Sequence, residues 1–468
     1  MAFCLLLVIV AELPHLRDDA WEDEAATLML FASGTPLDAF RDYRLPNNHM
    51  LFSATLAAWW SRGESVEHAR LLPALAWVLS MVLMVMGGRR LLGWPAAAVG
   101  IGVWSGAALT AFFALALRGY AFSWPFVLTV FACAPGWVSE RAWRAGLATA
   151  AAGALAFMIL PTNGIALASA LAFALLCDAR AHGRLRGTAC MRALTALALA
   201  AGGLVVYVPH RAAMMAHMQG GFSTWSSIEI MTHWWLAASS QCLPLLPVLA
   251  WGAWRARRAP AQDPARAALD LALVLMVVPL CAVAASPVAL VPRALVPLLP
   301  LWCLALGGLL AAAVSAPQLR CRVSVTAGCA LLVVAAFACG RAMPDCAAAP
   351  WRFPPGDDLC HPVFRHGYYP AAVLQAIADH YPGVPVLVSA RDVFAFSFIN
   401  WNGAARAAVF FDRGTWLSRH AGPRPRWVVA DSAQSARAMV GEITREQPRA
   451  VTEALRVGWL SVQQFSWR

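Results

Sequence analysis

Long apolar runs recur along this chain, separated by short polar segments rich in arginine. An α-helix needs about 20 apolar residues to cross the hydrocarbon core of a bilayer. The pattern predicts eleven spans, at 2–14, 68–88, 95–116, 118–137, 145–161, 163–178, 192–209, 233–254, 268–286, 292–314 and 323–340. The runs are continuous rather than alternating, which predicts helices and not a barrel. The first run is short. It fits a tilted helix or a span whose start lies upstream, and it lacks the basic segment and small-residue cleavage site of a signal peptide.

Two regions depart from this pattern. Residues 15–67 carry two shorter apolar stretches, near 20–33 and 48–60, joined through Gly34, Pro36 and a polar linker. They are too short to span and apolar enough to lie in the membrane interface. Residues 341–468 are more polar and alternate strand-like segments (384–390, 407–411, 426–431) with helix-like ones (371–381, 432–446). The expected architecture is an all-α polytopic membrane domain over 1–340 and a small extracytoplasmic α/β domain over 341–468. That tail holds no nucleophile elbow, P-loop or metal motif, so its plain reading is a structural cap.

Composition agrees. The chain is 60% hydrophobic and 13% charged, with mean hydropathy +0.60, against about 25% charged residues in soluble domains. The formal charge is +11, but no basic run is interleaved with stacking aromatics, which argues against nucleic acid as a partner. The sequence has no lysine. Any anion site must therefore use arginine, histidine or backbone amides. The 12 cysteines form no CxxC and mostly fall in apolar runs as small hydrophobes. Cys346 and Cys360 lie in the polar tail and could pair in an oxidising compartment.

Arginine placement sets the orientation. Arg89 and Arg90, Arg141 and Arg144, Arg180 through Arg192, Arg255 through Arg258, and Arg320 and Arg322 occupy alternate loops. The positive-inside rule puts all five loops in the cytoplasm, with the N-terminus inside and the tail outside. Loop 15–67 is then the first external loop. The Ala-rich, arginine-only usage suggests a bacterial plasma membrane protein from a GC-rich genome.

That loop contains "AWEDEAATL", with Asp19, Glu22, Asp23 and Glu24 close together. Asp19 and Glu22 fit a capping box and a favourable helix dipole. Asp23 and Glu24 fit this less well, because they begin the apolar part of the helix. A carboxylate at a membrane surface is costly without a partner or a task. The following "PNNHM" brings Asn48 and His49 next to the second short helix, where Asn48 could equally be an N-cap. Three arginines break the inside bias: Arg118 in "LRGYAF", Arg211 after His210, and Arg293 in "PRALVPLLP". Each could simply snorkel. Together, on the acidic-loop face, they suggest an anion site, since a guanidinium fork matches phosphate. Acids and arginines on one face suit a polyprenyl-phosphate sugar: a greasy tail, an interfacial phosphate and a sugar in the aqueous cleft.

The "WEDEA", "NNHM", "LRGYAF" and "PRALVPLLP" motifs resemble the GT-C fold glycosyltransferases, nearest to the bacterial family 39 type, the protein-mannosyltransferase-like and aminoarabinose-transferase-like enzymes. The resemblance covers the membrane region, about three quarters of the chain. It implies an essential acid in the first external loop, at Asp23 with Glu24 beside it. It places the arginine that precedes a tyrosine at Arg118 and Tyr120, and it implies a polyprenyl-phosphate-linked sugar donor. The family often has His-Pro where this chain has His49-Met50.

The expected chemistry is an inverting transfer. Asp23 acts as base on an acceptor hydroxyl, of a lipid, glycan or protein, while Arg118, Arg211 and Arg293 neutralise the departing lipid phosphate. Asn48, His49, Tyr120 and His210 are candidate substrate contacts. The motifs specify no cofactor; the clustered acids Asp23 and Glu24 leave a divalent metal open, although the arginines could do its electrostatic work. The rivals are a transporter or flippase of a lipid-linked saccharide, and a non-catalytic scaffold. A transporter usually carries its charges near the midplane, often in repeated halves. Here charge gathers at one surface.

Overall fold

In the computed structural model of the protein, the described residues are 2–17, 20, 22–43, 48–62, 64–214, 226–286, 292–314 and 317–339, with 386–388, 410–411, 427–430, 437, 450–457 and 460–466. The N-terminal part is helical throughout. Helix α1 is Ala2–Glu12, and the loop that follows holds α2 (Glu22–Ala26), α3 (Pro36–Arg41) and α4 (Met50–Trp59). The bundle then runs α5 (Val66–Ser105), α6 (Ala108–Ala114), α7 (Gly119–Glu140), α8 (Trp143–Ile159), α9 (Asn163–His182), α10 (Gly187–Ala201), α11 (Ser227–Ser239), α12 (Leu246–Arg258), α13 (Pro264–Ala285), α14 (Leu299–Ala312) and α15 (Pro317–Cys339).

Among the described residues, six helices are long and apolar enough to cross a membrane: Val66–Ser105, Gly119–Glu140, Asn163–His182, Gly187–Met214, Pro264–Ala285 and Arg293–Ala312. A seventh arises if Ser227–Ser239 and Cys242–Arg258, bent by 87°, form one broken span. This is fewer than eleven, for local reasons. The run at 68–88 and the first part of the run at 95–116 both fall on α5, in which two helical segments meet at a kink at Gly93 (φ 82°), just ahead of Pro95, so length alone counts them once. That φ suits glycine, and the proline cannot donate to the helical ladder. The run at 145–161 falls on α8, only 17 residues long. The run at 233–254 is interrupted by a 3-10 turn, Ser240–Leu245, that contains Pro244.

Local chemistry sets the helix ends. Ser65 accepts the His68 amide at the start of α5, and Asp263 accepts the Ala265 amide ahead of Pro264 in α13. Both are N-caps that satisfy otherwise orphaned donors. In α5, Leu75, Leu79, Val82 and Met86 are exposed at helical spacing, an apolar stripe suited to lipid. Helix α14 is almost wholly buried and packs against α5 and α13.

Trp124 of α7 donates its indole N–H to the Val296 carbonyl at 3.1 Å and meets Trp104 edge-on. This bond ties α7 to the 3-10 turn Pro292–Leu298 that leads into α14. At the end of α9, the buried Asp178 pairs with Arg186; near the start of α13, the buried Asp270 pairs with Arg180.

The tail contributes five strands: β1 Val386–Val388, β2 Phe410–Phe411, β3 Trp427–Ala430, β4 Ala450–Val457 and β5 Leu460–Ser466. Their order is β2-β1-β3-β5-β4, with β1 parallel to β2 and β3, and β5 antiparallel to β3 and β4. The first three fall within the segments expected at 384–390, 407–411 and 426–431; the β4–β5 pair was not foreseen. The helices expected at 371–381 and 432–446 lie outside the described residues, apart from Arg437, as do Asp19, Cys346 and Cys360.

Candidate active site

The site is assembled around three consecutive residues, Leu117, Arg118 and Gly119, at the entry to α7. Arg118 is the N-cap and has extended backbone (φ −136°, ψ 146°). A helix start leaves amide donors without intrahelical partners. Here residues from the first loop take the amides on either side of the N-cap. Glu24 Oε1 accepts the Leu117 N–H at 2.8 Å. His49 Nδ1 accepts the Gly119 N–H at 2.7 Å. Between these bonds, the Arg118 Nη1 lies 2.6 Å from Asp23 Oδ2. Adjacent acids therefore grip adjacent residues, Asp23 by charge and Glu24 by a backbone bond.

Gly119 is required by this approach. A Cβ there would sit 2.5 Å from His49 Nδ1 and 2.5 Å from Ile159 Cγ2. No side chain fits at that spacing.

The acids are held from behind. Glu24 is fully buried, and its Oε2 takes an Arg70 N–H at 2.6 Å. Arg70 is itself buried and also bonds the Leu16 carbonyl at 3.2 Å. The short α2 passes directly into a π turn, Thr27–Phe31, closed by the Ala32 amide on the Thr27 carbonyl. The Thr27 hydroxyl donates to the Asp23 carbonyl at 2.8 Å.

A second guanidinium joins the first. Arg293 Nη1 lies 3.7 Å from Asp23 Oδ2, and its side chain is 25% exposed against 3% for Arg118. Arg118 is thus the deep cation and Arg293 the one nearer solvent. Arg118 also lies over the Tyr120 ring at 5.6 Å, a cation–π arrangement. Tyr120 meets His49 edge-on at 4.9 Å.

His49 is neutral in this setting. Burial lowers its proton affinity well below the usual histidine value, and the charges of Arg118 and Arg293 lower it further. The hydrogen bond agrees, because a ring nitrogen that accepts an amide proton carries none. Nε2 then bears the hydrogen.

The remaining expected residues divide. Asn48 is not an N-cap: His49 holds that position for α4, and the Asn48 amide donates to the Ala39 and Asp42 carbonyls at 2.7 and 2.5 Å. Asn48 therefore closes the loop after α3. His210 lies against the same loop, bonded to the Phe40 carbonyl at 2.8 Å and stacked on Tyr43. Burial pushes the Tyr43 phenol up to about 12, with Tyr120 adding to the shift. Arg211 is exposed and forms no ion pair among the described residues. Among those residues no group of three or more His, Cys, Asp or Glu could hold a metal ion.

Sequence reasoning missed Arg70, Gly119 and Tyr43. Arg70 stands near the start of an apolar run, 46 residues from its acid. Glu67, one helical turn before Arg70, offered a nearer partner, so hydropathy and spacing gave no signal for the Glu24 pairing.

No protein-family model matches the chain, and neither does any curated protein sequence. Several solved structures do, two of them over nearly the whole chain. ArnT from Cupriavidus metallidurans in the apo state aligns with TM-score 0.53 and 15% identity, covering 99% of this chain and 97% of that one. ArnT from the same organism bound to undecaprenyl phosphate aligns with TM-score 0.51 and 15% identity, covering 99% and 96%. The chain has the GT-C fold of the ArnT type that its motifs resemble.

Proposed function

We propose that this protein is an integral-membrane glycosyltransferase that moves a sugar from a polyprenyl-phosphate donor to an acceptor hydroxyl, on the extracytoplasmic face of a bacterial plasma membrane. The observation that carries this reading is the juxtaposition of one carboxylate, Asp23, with two guanidiniums, Arg118 and Arg293. A transfer of this kind needs a base for the incoming oxygen and positive charge for the outgoing phosphate. Both are present within one ion-pair distance. Support also comes from the shared fold, since one of the matching ArnT structures is bound to undecaprenyl phosphate.

Asp23 takes the acceptor's proton as that oxygen bonds the anomeric carbon from the face opposite the phosphate. The anomeric C–O bond breaks, and polyprenyl phosphate leaves with the electron pair. The configuration inverts. Arg118 holds the phosphate from within, and Arg293 meets it from the solvent side.

His49 offers a neutral Nε2–H donor to the substrate and does not move a proton in the cycle. Tyr120 orients both His49 and Arg118. Glu24 is a positioning residue, because both its oxygens bond Arg70 and the Leu117 amide. Arg211 and His210 belong to the rim, with His210 fastening the loop around Tyr43.

Asp23→Asn tests the reading. Turnover falls by about 10²–10⁴ if the carboxylate is the base. Near-normal turnover by folded protein removes Asp23 from the chemistry.

A further inference from the structure

We infer that Arg118 is a shared counter-ion, passed from Asp23 to the lipid phosphate on donor binding and passed back on product release. The inference rests on the proposed transferase reading and adds a coupling to it. Arg118 is buried and stands 2.6 Å from Asp23, while Arg293 stands at 3.7 Å and is more exposed. A phosphate entering this pocket meets a cation already paired with a carboxylate. Two anions then compete for one desolvated guanidinium, and each weakens the other's hold.

The charge balance of the reaction fits such an exchange. The donor is a phosphodiester with a single negative charge, and the released phosphate is a monoester carrying about −1.5 to −2. As Asp23 takes the acceptor's proton it becomes neutral, while the phosphate gains the electron pair of the broken bond. Negative charge therefore moves from the carboxylate to the phosphate, and Arg118 lies where it can follow. The pocket's total charge stays constant against the two guanidiniums. When Asp23 later gives up its proton to water, its restored charge reclaims Arg118 and loosens the product. Release is thus tied to resetting the base.

This makes a prediction opposite to that of a simple binding role. Removing the Asp23 charge destroys transfer yet strengthens binding of the lipid phosphate, because Arg118 loses its resident anion. The probe is undecaprenyl phosphate, titrated onto the full chain in neutral-lipid nanodiscs and followed by native mass spectrometry.

Asp23→Asn should bind about tenfold tighter than wild type, within the usual range of site-to-site coupling. Arg118→Gln should bind more weakly than either. Asp38→Asn, which removes an exposed charge from the same loop, should leave affinity unchanged. Equal or weaker binding by Asp23→Asn overturns the exchange and leaves the transferase reading intact. Equal tightening by Asp38→Asn overturns it as well, by showing a general charge effect. Failure of wild type to bind undecaprenyl phosphate overturns both readings.

Should Asp23→Asn not fold, cryo-electron microscopy of the wild-type complex decides. The exchange requires Arg118 on the phosphate and beyond ion-pair reach of Asp23. Retention of the 2.6 Å contact with phosphate bound elsewhere contradicts it.

Discussion

Glu24 accepts the amide of Leu117 at 2.8 Å, one residue before the arginine that faces Asp23. The loop between α1 and α5 and the entry to α7 are therefore held in register by a bond beside the Asp23–Arg118 pair. The other Glu24 oxygen meets Arg70. Both side chains are buried, so removing one partner leaves an uncompensated charge.

Glu24→Gln should destabilise the protein by about 3–5 kcal/mol, the usual consequence of breaking a buried pair. Thermal unfolding in detergent measures it. In a double-mutant cycle, Glu24→Gln and Arg70→Gln should be strongly non-additive. Additive effects would mean that the pair does not act as a unit.

Gly119→Ala should displace His49, because the new methyl group overlaps both His49 and Ile159. Overpacking of this kind costs about 1–3 kcal/mol. Transfer activity should fall at least tenfold while expression survives. Wild-type activity in Gly119→Ala would show that the contact between α7 and His49 is dispensable.

Acidification should destabilise the wild-type protein through His49. Burial and two guanidiniums lower its proton affinity in the folded state, so the unfolded chain takes up the proton first as pH falls. The stability tied to neutral His49 is complete above the ordinary value of 6.5 and declines below it, toward the lower folded value. The limiting slope is about 1.4 kcal/mol per pH unit. His49→Asn keeps an acceptor for the Gly119 amide but cannot titrate. Its melting temperature should lack this part of the pH dependence, and an identical profile in both proteins would contradict the assignment.

Chelation should leave turnover within about twofold. The charge neutralisation that a divalent ion would supply is assigned to Arg118 and Arg293. Loss of activity in EDTA, restored by one divalent metal, would transfer that role to the metal.

The sequence made the site's charges legible because topology sorts them. Alternating arginine loops place Asp23, Arg118 and Arg293 on one predicted face, and the structure brings these three together. Arg211 satisfied the same rule yet stays exposed, because a position along the membrane normal says nothing about position around the bundle. The roles of Glu24 and Asn48 were hidden for a related reason. Their partners are an arginine 46 residues away and the backbone carbonyls of Ala39 and Asp42, and hydropathy does not encode pairings of that kind. Helix boundaries were blurred where proline and glycine interrupt apolar runs. Gly93 and Pro244 change the backbone without lowering local hydrophobicity.

The central claim is that the acid and the two arginines cleave a lipid-linked sugar at the membrane surface instead of carrying it across. The direct measurement uses proteoliposomes containing the purified chain and undecaprenyl phosphate bearing a radiolabelled pentose or hexose, with acceptor supplied outside. The account expects free undecaprenyl phosphate to appear together with labelled acceptor, and neither to form with Asp23→Asn. Labelled donor that changes leaflet intact, at equal rates in wild type and Asp23→Asn, would contradict it.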